Sequence, residues 1–137
     1  MRALGFTTSW QGVDQLDRRI DVLLDVATST EIINAMLPGA QHIADLWRSK
    51  VPYETGRYHD SIRVELGEDD EFGIPGIDIF TDAVSDIGFN YPEALEFGTS
   101  RMPAHPSALP AFDEGAPAAI EMAVERLDAL ILAALAR

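Results

Sequence analysis

His59, Asp60 and Ser61 stand side by side and supply the three residue types of a serine hydrolase triad. A triad needs side chains that converge on one point, whereas neighbours on a strand alternate between its two faces. The period of this stretch predicts a strand, so the trio points to no hydrolase. His42, His59 and His105 lack an HExxH or comparable ligand pairing, and His42 has only Asp45 near it, so a solvated or satisfied histidine is the expectation. Glu93 and Glu96 have the chemistry of an acid and a base, but carboxylates three residues apart are usually surface neighbours. The run Glu68, Asp69, Asp70 and Glu71 offers oxygen ligands without the spacing of an EF-hand loop. The chain has no cysteine, which excludes disulfides, thiolate zinc sites and cysteine nucleophiles, and it has no glycine-rich phosphate loop. Neither catalysis nor a cofactor nor a metal is expected.

The elements that would position these residues follow from hydrophobic period. Leu16, Ile20, Leu23, Leu24 and Ala27 recur at helical spacing, with Asp14 as the expected N-cap and Asp17 in the first turn. Thr28 and Glu31 have capping-box spacing ahead of Ile32, Met36, Ala40, Ile43 and Trp47. These stay in phase across Pro38 and Gly39, predicting one kinked helix over roughly 29–50 that ends before Pro52. Ile62, Val64 and Leu66 alternate with Arg63 and Glu65, a strand over roughly 60–66. The acidic run then reads as an exposed hairpin tip. A second strand is expected around Ile77 and Ile79, a turn over 82–86, and a third strand over Ile87 to Tyr91. From Ala108 the helical period returns, with Phe112, Ala116, Ile120, Val124, Leu127, Ile131 and Ala134 on one face of a long bent helix. The expected fold is α+β: a small antiparallel sheet of about three strands against two N-terminal helices and a closing C-terminal helix.

At 137 residues, 47% hydrophobic and 24% charged, the chain is expected to form a single domain over 1–137, with residues 1–12 an arm that orders on assembly. It has no signal-peptide pattern and no apolar run of the roughly 20 residues a bilayer span needs, so a soluble intracellular protein is expected. A formal charge of −13 repels nucleic-acid phosphates and anionic membranes and argues against conventional DNA binding.

Two stretches carry a resemblance. PYETGRYHDSI, from Pro52, is followed some thirty residues later by YPEALEFGTSRMPAHPSALPAF, which ends at Phe112. Together they resemble the tail-component family of long-tailed bacteriophages named after the lambdoid Hong Kong phage, related in role to tail-completion protein Z. The resemblance spans most of the chain, from about residue 12 onward. It places a family turn on Pro52, Thr55, Gly56, Ser61 and Ile62. It places the family signature on Tyr91, Glu96, Phe97, Gly98, Thr99, Pro106, Leu109, Pro110 and Ala111. Pro92, Leu95 and the run Gly115-Ala116-Pro117 depart from the family pattern.

The resemblance implies a structural virion protein of the head-to-tail neck, assembled in the host cytoplasm as a homo-oligomeric, hexameric ring around the DNA channel. Its expected partners are copies of itself, the stopper or head-completion protein, and the tail terminator or tail tube protein. Genome DNA would pass through without specific binding, and an acidic lumen lined by Glu68, Asp69, Asp70 and Glu71 would keep the duplex off the wall. Gly98 is expected at positive φ, turning the chain after a buried Phe97. Glu96 either accepts hydrogen bonds from that turn or pairs with a basic residue such as Arg101 of a neighbouring subunit. Rival expectations are a tail terminator ring, a soluble adaptor outside phages, and a small enzyme or toxin, which would need a pocket with convergent polar groups.

Overall fold

The computed structural model describes residues 12–26, 29–52, 56–73 and 75–136. The elements run α1 (Val13–Val26), α2 (Ser29–Lys50), α3 (Arg57–Ser61), β1 (Arg63–Leu66), β2 (Ile77–Phe80), α4 (Tyr91–Phe97) and α5 (Ala108–Leu135). The fold is mixed helix and strand, α+β as expected. Residues 1–11 of the expected arm, Thr28 of the capping box, Ala27 and Thr55 lie outside the described residues.

The helical frame is α2 against α5, and its closeness follows from small side chains. Ala35, Ala40, Ala44 and Ala111 are buried along the seam. Gly39 sits so near Ala119 that a methyl group built on it would stand 2.8 Å from that residue's Cα, Cβ and carbonyl oxygen. A methyl group on Gly115 would stand 2.9 Å from side-chain carbons of Ile43 and Leu46. These pairs, together with Lys50 reaching Glu114 at 2.6 Å, set the two helices antiparallel. Pro38 does not end α2, which continues to Lys50, and α5 likewise runs unbroken through Pro117. Asp14 lies inside the first turn of α1 and not at its N-cap position, because the helix already begins at Val13.

The sheet differs from expectation in extent. It has two antiparallel strands, paired Arg63 with Phe80 through Leu66 with Ile77. The strand expected from residue 60 begins at 63, because Gly56 at φ 75° opens a helical turn that holds 57–61. The third strand is absent among the described residues. Ile87 lies in a turn, and Tyr91 opens α4, whose first turn is fixed by the Asn90 side chain accepting from the Glu93 N–H at 3.2 Å and by Pro92 just inside the helix. A two-stranded hairpin is marginal alone. This one lays half-buried Val64 and Ile79 against the core cluster of Trp47, Val51, Tyr58, Ile62 and Ala83. Outward, Arg63 covers the Phe80 ring and pairs with Asp82. The acidic tip is exposed as expected, tightened by the Asp70 carboxylate accepting from the Phe72 N–H at 2.9 Å.

The largest departure concerns which face of α5 is inside. Of the seven residues expected on its inner face, Phe112 is 54% exposed, Ile120 64% and Val124 50%, whereas Ala116, Leu127 and Ile131 are half-buried and Ala134 is buried. The buried face is that of Ala111 and Gly115, where a large side chain would hold α2 away. Leu16, Ile20 and Leu24 of α1 are exposed as well.

Candidate functional site

The signature stretch becomes α4, a glycine turn and a crossing back to α5. Gly98 has φ 74° and ψ 176°, a region essentially confined to glycine, and its N–H closes α4 on the Ala94 carbonyl at 2.8 Å. A side chain there would also meet the Ala104 nitrogen at 2.8 Å and the Met102 oxygen at 3.0 Å. Gly98→Ala is therefore expected to lower stability by about 2 kcal/mol, read as a shift of the urea midpoint at constant slope. Thr99 and Met102 then pair backbone to backbone in a tight reversal, and the His105 N–H returns to the Leu95 carbonyl at 2.6 Å. Phe97 is 78% exposed, so the turn does not follow a buried ring, contrary to expectation; the residue ends α4 on its outer side.

Glu96 is the centre of this arrangement. Its carboxylate accepts from the backbone N–H groups of Ser107 at 2.8 Å, Ala108 at 3.0 Å and Leu109 at 2.9 Å. Those are among the N–H groups that the start of α5 leaves without intrahelical partners, at the positive end of its dipole. Burial pushes the carboxyl upward, but the bonds from Leu109, Ser107 and Ala108 outweigh it and hold Glu96 below the usual carboxylate value. The carboxylate thus braces the far end of the crossing, not the Gly98 turn, and both oxygens are engaged within the chain. Arg101 is exposed and has no ion-pair partner among the described residues.

Sequence reasoning missed why an outside residue caps α5. Ser107 holds the N-cap position, yet its side chain makes no cap bond. Its hydroxyl turns inward, accepting from Trp47 Nε1 at 3.1 Å and lying 3.3 Å from the Tyr58 hydroxyl. Tyr58 packs edge-on to both Trp47 and Tyr91, with ring centroids 6.2 and 5.9 Å apart. Trp47 also donates to Tyr58 at 3.3 Å. Trp47, Tyr58 and Ser107 therefore tie α2, α3 and the start of α5 into one buried polar junction. A tryptophan near the end of an amphipathic helix, whose indole N–H must find an acceptor, was the available signal.

The other candidates have separate duties. His59, Asp60 and Ser61 lie on the α3 turn and not on a strand; the Ser61 hydroxyl donates to the Tyr58 carbonyl at 2.8 Å and also meets Thr81. Ile62 is fully buried in the core. Glu93 sits at the start of α4, its carboxylate accepting from the Asn90 amide at 3.2 Å, so Glu93 and Glu96 serve the N-termini of different helices. Among the described residues no group of three His, Asp or Glu side chains could hold a metal ion. No helix among them is long and apolar enough to cross a membrane.

The two motif stretches do converge on one recess of about 460 Å³, with Gly56, Arg57 and Tyr58 on one side and Tyr91, Leu95 and Met102 on the other. At this recess Arg57 pairs with Asp86 at 2.9 Å and donates to the Val84 carbonyl at 3.2 Å. Its charged groups are thus engaged with each other, and its walls are mainly aromatic and aliphatic. Comparisons of this chain with protein-family models, curated proteins and solved structures find no match. The functional reading accordingly rests on the motifs and on the geometry just described.

Proposed function

We propose that this chain is a structural subunit of the neck of a long-tailed bacteriophage, a tail-completion or tail-to-head joining protein that assembles into a homo-oligomeric ring around the DNA channel. The observation that carries the reading is the large apolar surface left outside on α1 and α5. Leu16, Ile20, Leu24, Leu109, Phe112, Ile120 and Val124 are all exposed. Monomers rarely leave apolar patches beyond about 300–600 Å² uncovered, and larger ones mark interaction surfaces.

Three further features support it. The Thr-Gly and Glu-Phe-Gly-Thr stretches resemble the neck family in order and spacing. The polar groups of those stretches are committed to architecture, with Glu96 on a helix end and Ser107 in the buried junction. The charge of −13 and the exposed tip at Glu68, Asp69, Asp70 and Glu71 suit a channel that DNA traverses without being held. Partners in this role are further copies of the chain, a stopper protein on the head side and a terminator or tube protein on the tail side.

The test is the mass of the purified protein alone and mixed with tail tubes. A closed oligomer of the 15.0 kDa chain that joins tube ends is the expected result. A chain that stays monomeric at all concentrations and ignores tubes would overturn the proposal. An oligomer that binds no tube would favour an adaptor outside phages. A ring that caps tubes before any joining step would favour the tail terminator.

A further inference from the structure

The hairpin of β1 and β2 has an open edge whose bonding groups can be named. One step beyond the pair of Leu66 with Ile77, the Gly67 N–H donates to the Gly76 carbonyl at 3.0 Å. Bonded and non-bonded pairs alternate along an antiparallel ladder, so Arg63 and Glu65 also turn their backbone groups toward β2. Val64 and Leu66 turn theirs outward, and these N–H and carbonyl groups have no partner among the described residues. Ile77 and Ile79 turn outward on β2 in the same way, but β1 is the barer strand. Only Val64 of β1 is half-buried, whereas Ile77, Ile79 and Phe80 of β2 all are. Leu66 shares the core-side face with Val64 and is nevertheless 66% exposed.

The sequence holds a stretch suited to this edge. Leu4, Phe6, Thr8 and Trp10 alternate with Gly5, Thr7 and Ser9, the period of a strand with one apolar face, in residue types that favour strands. No charged residue occurs from Ala3 to Val13, so the stretch can lie beside Leu66 without burying a charge. Extended, residues 4–10 span about 23 Å, enough to cover the roughly 13 Å of β1. The helix that follows leads away from the body of its own chain: every side chain from Asp14 to Asp21 is exposed, and burial begins at Val22 and Leu23.

We propose that residues 4–10 of one copy add a third strand to the β1 edge of the next, with Leu4, Phe6, Thr8 and Trp10 on the side of Val64 and Leu66. The inference rests on the ring reading and specifies one of its subunit contacts. Main-chain bonds to Val64 and Leu66 hold the added strand, and its apolar row over Leu66 fixes which face it turns inward. Donor stretch and acceptor edge are different parts of the chain, so each copy gives one strand and receives one. That is the head-to-tail relation from which rings close.

The absence of cysteine makes the contact directly testable. Leu66→Cys is placed in one tagged chain, and Phe6→Cys, Thr8→Cys or Thr7→Cys in a second, differently tagged one; the pairs are co-expressed and oxidised. An unchanged circular dichroism spectrum is the fold control. The expected product is a disulfide between the two chains from position 6 or 8 and none from position 7, which faces the other way. Equal linking from position 7 would mean a contact without strand geometry and would overturn the inference. So would a disulfide closing within a single chain that carries both substitutions, since the strand would then be the chain's own. An intact oligomer with no link at all would overturn it while leaving the ring standing, and a monomer throughout would remove the ring reading as well. As a second measurement, assembly of the unmodified chain should slow amide exchange at Val64 and Leu66 by about tenfold or more. Phe6→Glu with Trp10→Glu should restore the fast rate; exchange that is equally slow in this variant would refute the added strand.

Discussion

Glu96→Ala is expected to lower stability by about 3 kcal/mol, because it leaves several N–H groups at the head of α5 without an acceptor. The three bonds are within 3.0 Å and come from consecutive residues, so no other side chain can replace them by a small adjustment. Ser107, the residue a helix would ordinarily use here, has its hydroxyl turned toward Trp47 and Tyr58. Glu96→Gln keeps a neutral acceptor and should lose about half as much; Glu96→Asp is too short and should resemble alanine. Urea unfolding followed by circular dichroism gives all three values. An alanine variant within about 0.5 kcal/mol of wild type would show that the carboxylate is a bystander. The sign of the pH dependence follows from the lowered carboxyl value. The stabilisation is present above the ordinary glutamate range and is lost as pH falls through the lower folded-state value. Glu96→Gln should flatten this acid limb.

Gly39→Ala is the second large expectation. In an exposed helix this change gains about 1 kcal/mol from helix propensity. Here the new methyl would lie 2.8 Å from the backbone of Ala119, which can yield only if α2 and α5 separate. Overpacking of that kind should give a net loss of about 3 kcal/mol. Gly115→Ala is the control within the same seam. Its methyl meets Ile43 Cγ1 and Leu46 Cδ1 at 2.9 Å and no backbone atom closer than 3.5 Å, so small side-chain shifts can relieve the crowding and the propensity gain should offset much of it. Equal losses for the two variants would show that the approach at Gly39 is not backbone-limited.

Periodicity located the helices well because helix formation is local. α2 and α5 appeared in full, and so did the hairpin wherever alternation was clean, at 63–66 and 77–80. The short helices were lost for an equally physical reason. Residues 57–61 and 91–97 are too brief to display a period, and their signals lie in caps: Gly56 at positive φ for one, Asn90 with Pro92 for the other. The orientation of α5 could not be read from hydrophobicity. A moment points to the large apolar residues, whereas this helix buries Ala111 and Gly115 and leaves Phe112 and Ile120 outside. Where the closest contact is backbone to backbone, small residues mark the inside. At the signature, Gly98 was legible because its conformation is exclusive to glycine. The destination of Glu96 was not, since it depends on where Ser107 points, a matter decided 60 residues away at Trp47.

The seam between α2 and α5 also acts as a register lock. Most helix pairs meet through side chains that can change rotamer, so one helix can slide along the other with modest repacking. At Gly39 there is no side chain to repack. Moving α5 by one turn would bring Ala35 or Ile43 against Ala119 where only glycine leaves room. The two long helices therefore behave as a single beam of fixed length and phase. Any conformational adjustment must fall to α1, the hairpin or the side chains of the outer stripe, and amide exchange should be slowest along the beam.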